Sequence, residues 1–372
     1  MQKLAQSWLV LQLSNSPFLL GLDAFLGEIP ILLFSLVGGV VADRVARRHI
    51  LLASQVVQMS CAFLLTALIA FKLVVVWHIL CLSFVVGIAQ AFGGPAYQAL
   101  IPSLVGPEDL PNAIAMNSIQ FNLARVIGPV LGGLALTQLG AAWCFGLNGL
   151  SFVAVIISLV LLHNRYLPAR TGESMLTSMR QGIGFLRARE GMVGLIILAF
   201  LTTMLAVPIM VFLPVFARDV FHRGPAAFTM LLASSGCGSI AGALVVAWMG
   251  NAERKGRTAL LTLMVLGALI YGFSASRFLD LSCAFVFLTG AAMIGVFATV
   301  SSLVQLMTPN EMRGRVMSVY NVAFRGGMPI GSLVTGALTP IFSVPLVLAT
   351  NGILLTCVGA YYFFVQRKVA AL

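Results

Sequence analysis

Long apolar runs dominate this chain and dictate its solvent. They can be marked near residues 18–42, 50–71, 75–101, 113–137, 143–163, 191–214, 226–249, 258–275, 279–306, 316–338 and 345–366, eleven in all. Each suffices to cross a hydrocarbon core of roughly 30 Å as a helix, which takes about 20 residues. Apolar residues make up 60% of the chain and charged ones only 9%, where a soluble domain is roughly a quarter charged. Lipid rather than water is therefore the solvent for most of the surface. Residues 1–13 are apolar as well but reach only about 20 Å as a helix. They read as the outer half of a further span, which makes twelve crossings, implies sequence upstream of Met1 and puts both termini in the cytoplasm.

The formal net charge of +11 raises nucleic acid or acidic lipid as partners, so the placement of the charges decides. One set of alternate connections holds Arg44, Arg47, Arg48, Arg165, Arg180, Arg254, Arg257, Arg313, Arg315 and Arg367, among others. The opposite set holds only Lys72, Arg218, Arg223 and Arg277. Basic residues gather in the cytoplasmic loops of membrane proteins, so the first set faces the cytoplasm and nucleic-acid binding needs no hypothesis of its own. The six cysteines lie inside apolar runs without metal-ligand or disulfide spacing and read as small packing residues.

Two features recur in both halves. Gly39, Asp43, Arg44, Arg47 and Arg48 form a tight basic turn between two long runs, and Glu253, Arg254 and Arg257 echo it later in the chain. Ser118, Arg125 and Pro129 are matched at the same spacing by Ser318, Arg325 and Pro329. Repeats running in one direction give two bundles related by an axis along the membrane normal. The organisation read from this is an N-terminal bundle over 1–163, a cytoplasmic linker over 164–190 and a C-terminal bundle over 191–372. Within the linker, 175–186 has the pattern of an amphipathic helix lying on the cytoplasmic surface.

The basic turn resembles the loop between the second and third helices of the major facilitator superfamily, whose pattern is Gly-x-x-x-Asp-Arg/Lys-x-Gly-Arg/Lys-Arg/Lys. Ala46 stands where that pattern has its second Gly, and Met249 where the second copy would begin with one. The resemblance implies an all-α membrane protein of two pseudo-symmetric six-helix bundles, the first helix incomplete here. It also implies that Asp43 sits against the N-terminus of a helix in the opposite bundle and holds the cytoplasmic side closed. A partly buried carboxylate beside the positive end of a helix gains up to about 2 kcal/mol, and the receiving helix is expected to begin near Gly314. Arg44, Arg47 and Arg48 add cytoplasmic anchors or ion pairs. A solvated loop charge is the plain alternative for Asp43.

Gly128, Pro129, Gly132 and Gly133 let helices approach at backbone contact, with Pro129 bending its helix. The same residues resemble the antiporter motif of facilitator-family exporters, although Ala115 and Ala124 replace glycines of its fuller form. That implies export rather than import. Together with residues 95–133, the basic turn resembles the bacterial drug and siderophore exporter group.

Ionisable side chains inside spans are costly and mark functional positions by default. Ser118, Asn122 and Arg125 share one helical face, repeated by Ser318, Asn321 and Arg325. Facing each other, the two stripes would line a polar substrate cavity. The arginines have two readings, bonding carbonyls or a carboxylate within the protein, or binding an anionic substrate. Asn117, Gln120 and Gln98 are secondary candidates. Glu28 lies deep in its run and stands alone, which suits a proton carrier. Asp23, nearer the outer surface and open to water, is the second proton-coupling candidate, with pairing to a buried Arg as its structural alternative.

No metal spacing, Walker-type loop or soluble catalytic domain is present in the sequence, so neither an enzyme nor a cofactor is expected. The reading is a secondary transporter of a bacterial-type inner membrane, exporting small amphipathic, drug-like or siderophore-like molecules in exchange for protons. Its alternatives are an importer of a small organic anion bound by Arg125 and Arg325, and a non-transporting truncated membrane protein. The oligomeric state is left open, with a monomer sufficient.

Overall fold

The computed structural model describes residues 1–106, 108–162, 175–249 and 255–372, excepting the side chains of 36, 40, 42–44, 122, 125, 126 and 175–179. Helices take up nearly all of the described residues, and no strand occurs among them. A helix satisfies its backbone hydrogen bonds internally, which is what a lipid environment demands of an apolar chain. The chain divides into two compact units, Met1–Gly172 and Glu173–Leu372.

The first unit contains α1 (Gln2–Ser14), α2 (Pro17–Arg44), α3 (Arg47–Ala70), α4 (Val76–Leu104), α5 (Leu110–Gln138) and α6 (Ala141–Leu161). Asn15, at φ 50°, ends α1 with its N–H on the Leu11 carbonyl. Pro17, whose missing N–H costs nothing in a first turn, opens α2. Between α5 and α6 the chain turns at Gly140, whose φ of 86° suits a residue without Cβ. Small residues set the spacing of α2 and α4. A Cβ on Gly87 would lie 2.7 Å from the Gly27 carbonyl oxygen and 3.0 Å from Pro30 Cγ, and one on Gly38 would overlap the Ala91 carbonyl.

The second unit contains α7 (Met175–Ala188), α8 (Met192–Ala206), α9 (Pro208–Val215), α10 (Pro225–Met249), α11 (Lys255–Ala275), α12 (Leu279–Leu306), α13 (Asn310–Leu338) and α14 (Val344–Ala360). α9 and α14 run on into π-helical turns, Phe216–Val220 and Tyr361–Gln366. The pairing scheme of the first unit recurs. α10 packs on α12 as α2 does on α4, α11 on α14 as α3 does on α6, and α11 on α12 as α3 does on α4. A Cβ on Gly238 would overlap the Phe287 carbonyl, one on Gly242 the Ala291 carbonyl and one on Gly290 the Ser235 carbonyl. Gly327 and Gly331 of α13 meet Phe200, Thr203 and Met204 of α8 in the same way.

Two expectations change. Among the described residues nine helices are long and apolar enough to cross a membrane. The run at 316–338 is not among them, although it lies in α13, which is 29 residues long; the run at 113–137 lies in α5, where the side chains of 122, 125 and 126 are outside the described residues. α13 carries Arg313, Arg315, Asn321 and Arg325, and such polar residues dilute the apolar signal without shortening the helix. Second, α13 begins at Asn310, so Gly314 lies in its second turn rather than at its start. The amphipathic α7 packs against α13. A Cβ on Gly182 would stand 2.7 Å from the Arg315 carbonyl oxygen, Leu186 is buried, and Arg189 Nη1 donates to the Met307 carbonyl at 2.9 Å. α7 is seated on the first turns of α13.

Candidate functional site: polar faces, a buried carboxylate and arginine clasps

α13 has two unlike sides. Val316, Tyr320, Gly327 and Gly331 are buried, and the two glycines press on α8. Ser318, Asn321 and Arg325 project from the opposite side, since residues three and four apart share a helical face. Asn321 and Arg325 are exposed. Ser318 Oγ returns a hydrogen bond to the Gly314 carbonyl at 2.9 Å. Arg325 makes no ion pair or hydrogen bond to a described residue of its own unit, so the structural reading of a carbonyl-bound or carboxylate-bound arginine gains no support there. Beside this face Phe324 packs edge-on to Phe297, with centroids 4.8 Å apart.

α5 repeats the arrangement in part. Ser118 Oγ donates to the Ile114 carbonyl at 2.9 Å. The side chains of Asn122 and Arg125 lie outside the described residues. Tyr97 of α4 donates its hydroxyl to Asn117 Oδ1 at 2.7 Å, and Gln120 is exposed on a shallow apolar groove with Met116, Ile119 and Leu123. Gly132 and Gly133 of the glycine motif are buried, and a Cβ on Gly132 would come within 2.8 Å of Met1 Cα. Gly128 and Pro129 are half-buried. The motif thus forms a close helix contact, whatever else it does.

The carboxylates of α2 differ from expectation. Glu28 does not stand alone, because Lys3 of α1 lies 2.9 Å from its Oε1. Asp23 is the buried one, 7% exposed, rather than open to water. Nor, among the described residues, does an arginine pair with it. Gln6 Nε2 donates to both carboxylate oxygens at 3.0 and 2.9 Å, and Ser83 Oγ of α4 donates to Oδ1. Sequence reasoning did not single out Lys3, Gln6 or Ser83. The available signal was the spacing of Lys3 and Gln6, three apart and so on one face of an otherwise apolar helix.

At the basic turn, Arg47 Nη1 donates to the Ala99 carbonyl and Arg48 Nη2 to the Val160 carbonyl, both at 2.6 Å. Val160 lies in the last turn of α6, where carbonyls lack helical partners and a cation is favourable, whereas Ala99 lies more than a turn before the end of α4. The two guanidiniums therefore tie the start of α3 to α4 and α6. Gly39 is half-buried in α2. The side chains of Asp43 and Arg44, and Glu253 and Arg254 altogether, lie outside the described residues, while Arg257 is exposed in the first turn of α11.

Two helical units with the same internal pairing, many apolar spans and polar residues confined to a few helix faces define a multi-pass membrane transporter. The model of the transmembrane secretion effector family matches residues 1–371, and the chain belongs to that family, within the major facilitator superfamily. It is 27% identical over 368 residues to the enterobactin exporter of Shigella boydii serotype 4, covering 95% of this chain and 84% of that one. The fold is also that of a nucleoside transporter, at a TM-score of 0.75 and 12% identity over 97% of this chain and 95% of the other. A peptide transporter superposes with a TM-score of 0.75 at 13% identity, covering 99% and 92% of the two chains.

Proposed function

We propose that this transporter is a proton-coupled exporter of small amphipathic molecules of siderophore-like or drug-like character, resident in a bacterial-type inner membrane. The observation that carries the reading is a pair of carboxylates, Asp23 and Glu28, inside a span of a chain whose relatives are enterobactin exporters. Protons exchanging at a buried carboxylate supply the driving force. The polar faces of α5 and α13, with Ser118, Asn122, Arg125, Ser318, Asn321 and Arg325, border the substrate path. Enterobactin uptake into everted vesicles tests it. Uptake should depend on an imposed proton gradient and stop when the gradient is collapsed, and gradient-independent uptake would sink the coupling.

A second reading, import of a small organic anion, is favoured by the exposed Arg325. Accumulation of organic anions in right-side-out vesicles, without efflux from everted ones, would establish it instead.

The direction of insertion follows from the basic loops. Reporters fused after Arg48, Arg180 and Arg257 are expected in the cytoplasm, and those after Lys72 and Arg277 outside. An external Arg180 would overturn the assignment.

Asp43 is proposed to hold the cytoplasmic side closed. Asp43→Asn keeps the size and removes the charge, so transport should fall while membrane insertion stays normal, and cysteine probes placed beside Ser318 should label faster from the cytoplasmic side. Unchanged transport and labelling would return Asp43 to a solvated loop charge.

A further inference from the structure

The contacts between α1, α2 and α4 sort the two intramembrane carboxylates into different roles. Glu28 has a cation at hydrogen-bond distance, Lys3 Nζ at 2.9 Å. Asp23, one and a half turns nearer the α1–α2 connection, has among the described residues only neutral donors bonded to it, the Gln6 amide and the Ser83 hydroxyl. The amide also donates to Ser83 Oγ at 2.8 Å, so Asp23, Gln6 and Ser83 form one closed cluster drawn from three helices.

Among the described residues the charged groups around it are few. On α1 Lys3 is the one ionisable side chain. It is bonded to Glu28, and the Met1 amino group lies against Gly128 of α5. On α4, His78 stands exposed in the first turn with Nδ1 accepting from the Val75 N–H. Cys81 is exposed, and Tyr97 is bonded to Asn117. Arg47, Arg48 and His49 of α3 lie at the far end of α2, beside its last turn. Fully ionised, the Lys3, Glu28 and Asp23 group carries one net negative charge, and a single proton on Asp23 neutralises it.

We propose that Asp23 is the proton-carrying carboxylate of this transporter, with Gln6 and Ser83 as the positioning residues that pass its protonation to α1 and α4, while Glu28 stays paired with Lys3. The inference rests on the proton-coupled reading above. An ionised carboxylate only accepts hydrogen bonds, and a protonated one must also donate. When a proton from water adds to Asp23 Oδ1, the Ser83 hydroxyl can no longer donate there. It turns to accept, and the Gln6 amide, which donates to both Ser83 and Asp23, must redistribute its bonds. A neutral Asp23 therefore changes how α1 and α4 are tied to α2 without any change at the Lys3–Glu28 pair.

The test uses the purified full chain in lipid bilayers and dicyclohexylcarbodiimide, which enters apolar regions and traps protonated carboxyls. The acid proton goes to a carbodiimide nitrogen, the carboxylate oxygen bonds to the central carbon, and the adduct rearranges to a stable acylurea mapped by mass spectrometry. Asp23 is expected to carry the label, in an amount that declines from mildly acidic to mildly alkaline solution, with loss of that label in Asp23→Asn and none on Glu28. Ser83→Ala and Gln6→Leu are expected to move the pH at which labelling declines, a shift that a purely structural role for these residues does not produce. Label on Glu28 instead of Asp23, or Asp23 labelling that does not change with pH, overturns the proposal. In everted vesicles Asp23→Asn should lose gradient-driven enterobactin uptake while exchange of labelled for unlabelled enterobactin continues, and retained uphill uptake overturns it as well. If the wild-type chain moves no enterobactin at all, the exporter reading fails, and the pattern of carbodiimide labelling still decides the role of Asp23.

Discussion

Gly238→Ala is expected to destabilise the transporter severely, although alanine is the better helix former by about 1 kcal/mol. The added methyl falls inside the contact radius of the Phe287 carbonyl oxygen, a backbone atom with no rotamer to move to. α10 and α12 must separate, and the neighbouring contacts of Gly242 with Ala291 and of Gly290 with Ser235 separate with them. Overpacking costs about 1–3 kcal/mol even where side chains can shift, and here none of the atoms met first is a side chain. Gly94→Ala is the control, since a Cβ there meets nothing within 4 Å. Thermal unfolding in detergent, followed by loss of monodisperse protein, should show Gly94→Ala at or above the wild type and Gly238→Ala at least about 5 °C below it. Equal midpoints for the two variants would mean that the α10–α12 contact is looser than the geometry describes.

Arg325→Gln is expected to do the reverse, leaving stability unchanged and removing transport. The guanidinium is exposed on the side of α13 away from α8 and has no partner among the described residues of its unit, so its loss leaves no buried group unsatisfied. A charge-assisted hydrogen bond to substrate is worth about 1.5–3 kcal/mol, which corresponds to roughly a ten- to hundredfold loss of transport rate at limiting substrate. Arg325→Lys separates charge from shape. Partial recovery points to a point-charge interaction, and none points to the forked geometry that only arginine offers. A Gln variant that transports normally but unfolds earlier would assign Arg325 to structure.

The helices were legible wherever the chain is apolar all round, because length and hydropathy alone decide there. They were less legible in α13, whose first turns hold Glu311, Arg313 and Arg315, so that the apolar run starts six residues after the helix does. The internal repeat was visible in Ser118, Arg125 and Pro129 and their counterparts because identity at fixed spacing needs no contact map. Partnerships were not visible. Gln6 and Asp23 are 17 residues apart and Gln6 and Ser83 are 77 apart, and helical periodicity says which face a residue occupies without saying which neighbour that face meets. Depth alone favoured Glu28 over Asp23, and it carried no sign of the Lys3 contact, which brings a charge from another helix. The linker helix was readable as amphipathic, whereas its seat on α13 depends on Gly182, a residue whose contribution is the absence of a side chain.

Arg48 and the carbonyl it caps are 112 residues apart, a separation with a biosynthetic meaning. At ordinary elongation rates the ribosome takes about 6–20 s to make the residues in between. Through that interval Arg48 is a loose positive charge at the mouth of a newly inserted hairpin, the kind of signal that insertion machinery reads as an address. Only when α6 emerges does the same guanidinium find Val160 and become a clasp. One residue thus serves first as a topology label and then as a lock, and a variant that keeps the charge without the reach, such as Arg48→Lys, would insert correctly and close poorly.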